Sequence, residues 1–138
     1  MSEIPQATLT AYLETDYRVF GDSPFILRMG KASTPLMELF QQHGISCAAF
    51  ITACNPFSHK LDDAANAAKQ TELENELTQR GLNFVEGEGR HPSSEWVEPS
   101  YLVLGLSLDE AKALGVRFEQ NALVWCGADA IPELILLR

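Results

Sequence analysis

The sequence predicts an α/β or α+β fold, a single-domain sandwich in which a mixed β-sheet carries packed helices. Three observations predict it. Strand-like and helix-like periods alternate along the chain, roughly in the order αββαβαββαββ. Residues 46–54 are apolar on both faces, which places that strand in mid-sheet, covered on both sides. No repeat, linker or low-complexity stretch divides residues 1–138, so the whole chain is expected to be one domain.

Residues 7–16 suit a short helix with Leu9, Tyr12 and Leu13 as its apolar stripe. Tyr17-Arg18-Val19-Phe20 and Phe25-Ile26-Leu27-Arg28-Met29 read as strands joined through the turn Gly21-Asp22-Ser23-Pro24. Thr34 can cap the next helix, Pro35 suits its first position and Gly44 stops it. Leu36, Leu39, Phe40 and His43 share one face of it. The central strand then ends at Thr52-Ala53-Cys54-Asn55-Pro56, where Asn-Pro forces a turn. In open α/β sheets, ligands bind beyond such carboxyl ends.

A long helix is expected from about Leu61 to Arg80, stopped by Gly81. Its buried stripe, Leu73 and Leu77, continues backward onto Gln70 and Asn66, polar groups that need partners or line a pocket. Leu82-Asn83-Phe84-Val85-Glu86 reads as a strand, and residues 87–94 as the most loop-like segment. Tyr101-Leu102-Val103-Leu104 is another strand. Ser107 and Glu110 form a capping box for a helix with stripe Leu108, Ala111, Leu114 and Phe118. Residues 122–126 and 133–137 read as the last strands.

Composition narrows the function classes. Apolar residues make up 46% and charged residues 21%, an ordinary globular balance. At 138 residues the chain can bury about 70% of its unfolded surface without a metal or disulfide. A net charge of −9 excludes a general grip on nucleic-acid backbones. Three cysteines, Cys47, Cys54 and Cys126, lie in or at the ends of apolar runs, the usage of buried reduced thiols. Met1-Ser2-Glu3-Ile4-Pro5 lacks the pattern of a signal peptide, and no apolar run reaches membrane-spanning length. The expected location is therefore cytoplasmic, with no membrane partner.

No phosphate loop, dinucleotide fingerprint, zinc-protease or serine-elbow motif is present, and no cofactor is expected. The three histidines share no ligand spacing with the cysteines, so no metal is expected either. Cys54 with nearby His59 is the tempting nucleophilic pair, but a small buried hydrophobe at a strand end explains Cys54 as well. Among Glu86, Glu88, Glu95 and Glu98, Glu98 is the favoured acid–base group, because Pro99-Ser100 delivers it to a buried strand beside Trp96. Gly87-Glu88-Gly89-Arg90 offers backbone amides and a guanidinium to an anion. Gln120 and Asn121 can read a polar ligand edge, or cap the preceding helix.

Taken in order, Leu27-Arg28-Met29-Gly30, Ala49-Phe50-Ile51-Thr52-Ala53-Cys54-Asn55-Pro56, Gly87-Glu88-Gly89-Arg90, Trp96-Val97-Glu98-Pro99-Ser100 and Phe118-Glu119-Gln120-Asn121-Ala122 resemble the bacterial domain-of-unknown-function family 3293. The likeness runs from about Tyr12 to Leu136. It implies that Thr52, Asn55, Asn66, Glu88, Gly89, Arg90, Glu98, Ser100, Gln120 and Asn121 fall in the family's polar blocks. The family pattern has an aromatic residue where this chain has Cys54, which counts against a nucleophilic thiol. The resemblance implies no activity.

The residues therefore point to a polar pocket at the strand ends that binds a small anionic or amide-containing ligand. Asn55, Asn66, Gln120 and Asn121 are its hydrogen-bonding groups, Arg90 its anion-holding group and Glu98 its acid–base or orienting group. Asn55, Asn66, Arg90 and Glu98 are expected to converge. The rival is a non-catalytic, acidic protein–protein interaction module, which an exposed apolar patch without a pocket would favour.

Overall fold

The computed structural model describes residues 4–93 and 95–138. The leader reading of Met1, Ser2 and Glu3 and the loop reading of Ser94 lie outside the described residues. The chain forms α1 (Gln6–Glu14), β1 (Asp16–Val19), β2 (Phe25–Leu27), α2 (Thr34–His43), β3 (Ala48–Ile51), α3 (Asp63–Gln79), β4 (Asn83–Arg90), β5 (Val97–Leu104), α4 (Leu108–Arg117), β6 (Ala122–Cys126) and β7 (Pro132–Leu136). A single 3-10 turn, Pro56–Ser58, follows β3.

The seven strands make one sheet in the order β2-β1-β4-β5-β3-β6-β7. The α+β architecture is as expected, but the sheet is antiparallel at every pairing rather than mixed. The reason lies in the connections, since several neighbours in the chain are hairpins too short to cross over to a parallel strand. The sheet also curls. Gly30 N–H donates to Pro132 O at 2.9 Å and Ser33 N–H to Ala130 O at 3.0 Å, joining the segment beyond β2 to the start of β7 and the turn before it.

Alternation along the strands builds two cores. On the inner face, Tyr17, Val19, Phe50, Leu102, Leu104 and Val124 pack with Leu36 and Phe40 of α2. On the outer face, Ile51, Tyr101, Val103 and Leu123 pack under Leu73 and Leu77 of α3 and Ala111 and Leu114 of α4. The strand β3 is buried at every position, as its double-faced apolar pattern requires.

Local signals decide the helix ends. Ser33, one residue before the expected Thr34, caps α2 by accepting from Leu36 N–H at 3.2 Å. Gly44 closes that helix in the left-handed conformation at φ 65°. The Ser107–Glu110 capping box of α4 is present in both directions.

Residues 87–90 are strand, not loop. A Cβ at Gly87 would stand 2.2 Å from Arg18 O, so the glycine admits the close approach of β1. Pro99 sits inside β5, where β3 pairs only with Tyr101–Leu104. Its carbonyl accepts from Thr52 Oγ1, so its nitrogen faces the same unpaired side and no ladder bond is lost.

Candidate functional site

The site forms where β3 leaves the sheet. Asn55 follows in the left-handed region at φ 48°, a conformation asparagine tolerates better than most side chains. Phe57 at φ 53° and Ser58 at φ 63° share that region, so the turn holds strained backbone. Bonds from three directions hold it. From α3, Asn66 Oδ1 accepts from Asn55 N–H and Asn66 Nδ2 donates to Asn55 Oδ1, each at 2.9 Å. Gln70 Oε1 accepts from Ala53 N–H at 2.7 Å and Thr52 Oγ1 at 3.2 Å. Beyond α4, Gln120 Nε2 donates to Cys54 O at 3.0 Å and Phe118 O at 3.2 Å. From α1, Tyr12 OH meets Ser58 Oγ at 2.7 Å, and Asn121 Nδ2 donates to the same hydroxyl at 2.8 Å.

Glu98 is the ionisable centre of this arrangement. Asn55 Nδ2 donates to Glu98 Oε2 at 2.7 Å. Burial pushes the carboxyl up to about 7, against the opposing pull of hydrogen bonds from Asn55 and Trp96. A carboxyl poised there exchanges protons at neutral pH. Glu98 and Asn55 line two separate hollows. The inner one, about 40 Å³, opens onto the concave side of the curled sheet between Tyr12, Tyr17, Phe50, Trp96 and Ser100. The outer one, about 390 Å³, runs past Cys54, Asp63, Asn66 and Gln70.

Of the four groups expected to converge, Asn55, Asn66 and Glu98 do. Arg90 does not. Gly89 lies opposite Glu98 in the β4–β5 ladder, and Arg90 is the next residue, so it points to the other face of the sheet. There its Nε bonds Glu88 Oε2 at 3.0 Å, and the side chain is half exposed. Arg138 Nη1 reaches Asn121 Oδ1 at 2.9 Å and its guanidinium stacks 4.3 Å from the Phe57 ring centre.

Cys54 is buried and its thiol is pushed up to about 11, by burial first and the charge of Glu98 besides. His59 is exposed. The thiol approaches Pro99 O at 3.8 Å, the placement of a packed hydrophobe rather than a nucleophile. Among the described residues no group of three or more histidine, cysteine or acidic side chains gathers as a metal would require. No helix there is long and apolar enough to cross a membrane.

The sequence reading missed Tyr12, Tyr17 and Ser58. The tyrosines carried an ordinary apolar signal, and nothing local shows that α1 lies across the mouth of the sheet. Ser58 follows Asn-Pro-Phe, a turn signal that marks the bend but not its partners.

A family model described as a protein of unknown function (DUF3293) matches residues 51–123, more than half of the chain. That span holds Asn55, Asn66, Glu98, Gln120 and Asn121, whereas the Leu27-Arg28-Met29-Gly30 block falls outside it. Searches of curated proteins and of solved structures return no match.

Proposed function

The chain belongs to the DUF3293 family, a membership that carries no activity, and from that premise we propose that it binds a small ligand at the end of β3 through Glu98. Glu98 is the group that meets the ligand, as proton donor, proton acceptor or orienting acceptor. Asn55, Asn66 and Gln120 are positioning residues in this reading, since their amides are engaged with backbone and with one another. Asn121, with Tyr12 and Ser58, forms the rim.

One observation carries the reading. A partly buried, desolvated carboxyl is held by Asn55 and Trp96 where it lines two hollows. Burying a carboxyl that is not matched by a positive partner costs stability, and such groups concentrate at functional sites. Among the described residues the lining charges are Glu98 in both hollows and Asp63 in the outer one, while Arg90, on the outer face, lines neither hollow and pairs with Glu88. An anionic head is therefore poorly matched, and a ligand that donates hydrogen bonds is well matched.

A fragment screen followed by ¹H–¹⁵N NMR tests the reading. Hits are expected to shift the Trp96 indole, the Asn55 amide and the backbone of residues 97–100, and to lose affinity in Glu98→Gln. Hits that map elsewhere, or that bind the variant equally well, would overturn it.

A further inference from the structure

We propose that the inner hollow is a seat for a small organic ammonium group, caged by the rings of Tyr12, Tyr17, Phe50 and Trp96 and paired with the Glu98 carboxylate. This rests on the ligand site at Glu98 and names its ligand class.

The geometry argues for it in three steps. The first concerns the walls. Four aromatic side chains border one hollow, and Tyr17 and Phe50 are locked edge to face with ring centres 5.4 Å apart. Ring faces attract cations, and desolvated cages of this kind hold ammonium groups. The second concerns charge. Among the described residues Glu98 is the one charged side chain in the lining, and its polar neighbours there are hydroxyls and amides. A cationic ligand supplies a positive partner that no ion pair among the described residues gives the partly buried Glu98 carboxylate, whereas an anion would meet a like charge. The third concerns size. A volume of about 40 Å³ accommodates a few water-sized atoms, which fits an ammonium or methylammonium head and no larger body.

Binding must then depend on the state of Glu98. Facing that carboxyl are Tyr17 of β1, Tyr12 of α1, Cys54 and Asn55 beyond β3, and Trp96 before β5. Burial keeps Tyr17 and Cys54 protonated through neutrality. Asp63 lies across the outer hollow, and His91 and Glu14 pair beside Trp96 in a neighbouring groove. The ammonium seat is complete when Glu98 has lost its proton, so affinity rises with pH through about 7.

The test is titration of the whole chain with methylammonium chloride, followed by ¹H–¹⁵N NMR at pH 6 and pH 8, with acetamide and sodium acetate as comparison probes. Methylammonium is expected to give saturable shifts at the Trp96 indole, with affinity about tenfold higher at pH 8, the ratio of deprotonated Glu98 at the two pH values. Glu98→Gln is expected to abolish those shifts, and His91→Gln to leave the pH dependence in place. Saturable binding of acetamide without methylammonium would overturn the ammonium assignment and leave the ligand site standing. Tighter binding of acetate, or methylammonium binding that ignores pH, would overturn it as well. No saturable shift at the Trp96 indole with any probe, together with no fragment hit at Glu98, would overturn both.

Discussion

Asn55 binds Glu98 with its amide nitrogen and Leu61 and Asn66 with its amide oxygen, the contacts being 2.7 Å to Glu98 Oε2 and 2.9 Å to each of the others. One side chain therefore ties the strained turn after β3 to α3 and to the partly buried carboxyl of Glu98 in β5. The turn and the carboxyl are built together, and a change at Asn55 must disturb both.

Replacing Asn55 by alanine leaves Leu61 N–H and the Asn66 amide short of an acceptor, and places a Cβ residue with no compensating bond at positive φ. The expected cost is about 1–3 kcal/mol. Asn55→Gly loses the same bonds without the backbone strain, so it should cost less than the alanine variant by up to about 1 kcal/mol. Urea melts of the two variants check this. Losses under about 0.5 kcal/mol in both would show that Asn55 does not hold the turn.

Arg90→Ala should be nearly silent. Its guanidinium is about half exposed and pairs with Glu88 on the face away from Glu98. Exposed pairs of this kind contribute about 0–1 kcal/mol. The melt should shift little, and the NMR signals of Trp96 and residues 97–100 should stay in place. Perturbation of the Glu98 region would contradict the separation of the two faces.

The contrast between Arg90 and Glu98 shows where the sequence was legible and where it was not. The capping box at Ser107 and Glu110 and the stop at Gly44 are local, and each sits where its residues predict. The polar positions Asn66 and Gln70 on the inward stripe of α3 did signal partners, because a polar group on a buried line must be satisfied. Gly87-Glu88-Gly89-Arg90 has the composition of a loop, and its strand state depends on β1 and β5, which are distant in sequence. Once it is strand, alternation alone sends Arg90 to the face opposite the Glu98 side chain. The antiparallel order and the placement of α1 at the mouth of the sheet are likewise products of long-range pairing, with no local mark.

The thiols should divide by burial. Cys54 and Cys126 are buried, and burial pushes the Cys126 thiol up to about 12, whereas Cys47 is half-buried with Sγ 3.4 Å from Leu106 O. Burial raises the Cys47 thiol as well. In the native protein Cys54 and Cys126 should react with a thiol reagent slowly, on the timescale of opening, and Cys47 first. Rapid labelling of Cys54 would revive it as a nucleophile.

Glu98 should also shape the pH dependence of stability. A carboxyl whose folded-state pKa lies above its unfolded value holds its proton more tightly when folded. Its contribution is therefore complete below the ordinary value of 4.5 and is lost as pH rises through about 7. The loss is on the order of 3 kcal/mol if the unfolded chain titrates normally. Glu98→Gln mimics the protonated acid and keeps an acceptor for Asn55, so it should be more stable than the parent at pH 8 and similar at pH 4. Thermal melts across that range check the sign. A variant less stable at pH 8 would mean that ionised Glu98 is a structural anchor.

The most direct measurement is the titration of the Glu98 side-chain carboxyl itself, followed by ¹³C NMR in the unliganded protein. A midpoint near 7 is expected, set by desolvation beside the two hollows and moderated by Asn55 and Trp96. The midpoint should rise further in a variant lacking the Asn55 amide, since that donor favours the charged form. A midpoint in the ordinary range near 4.5 would contradict the central claim, because Glu98 would then be a solvated surface carboxylate with no special place in a ligand site.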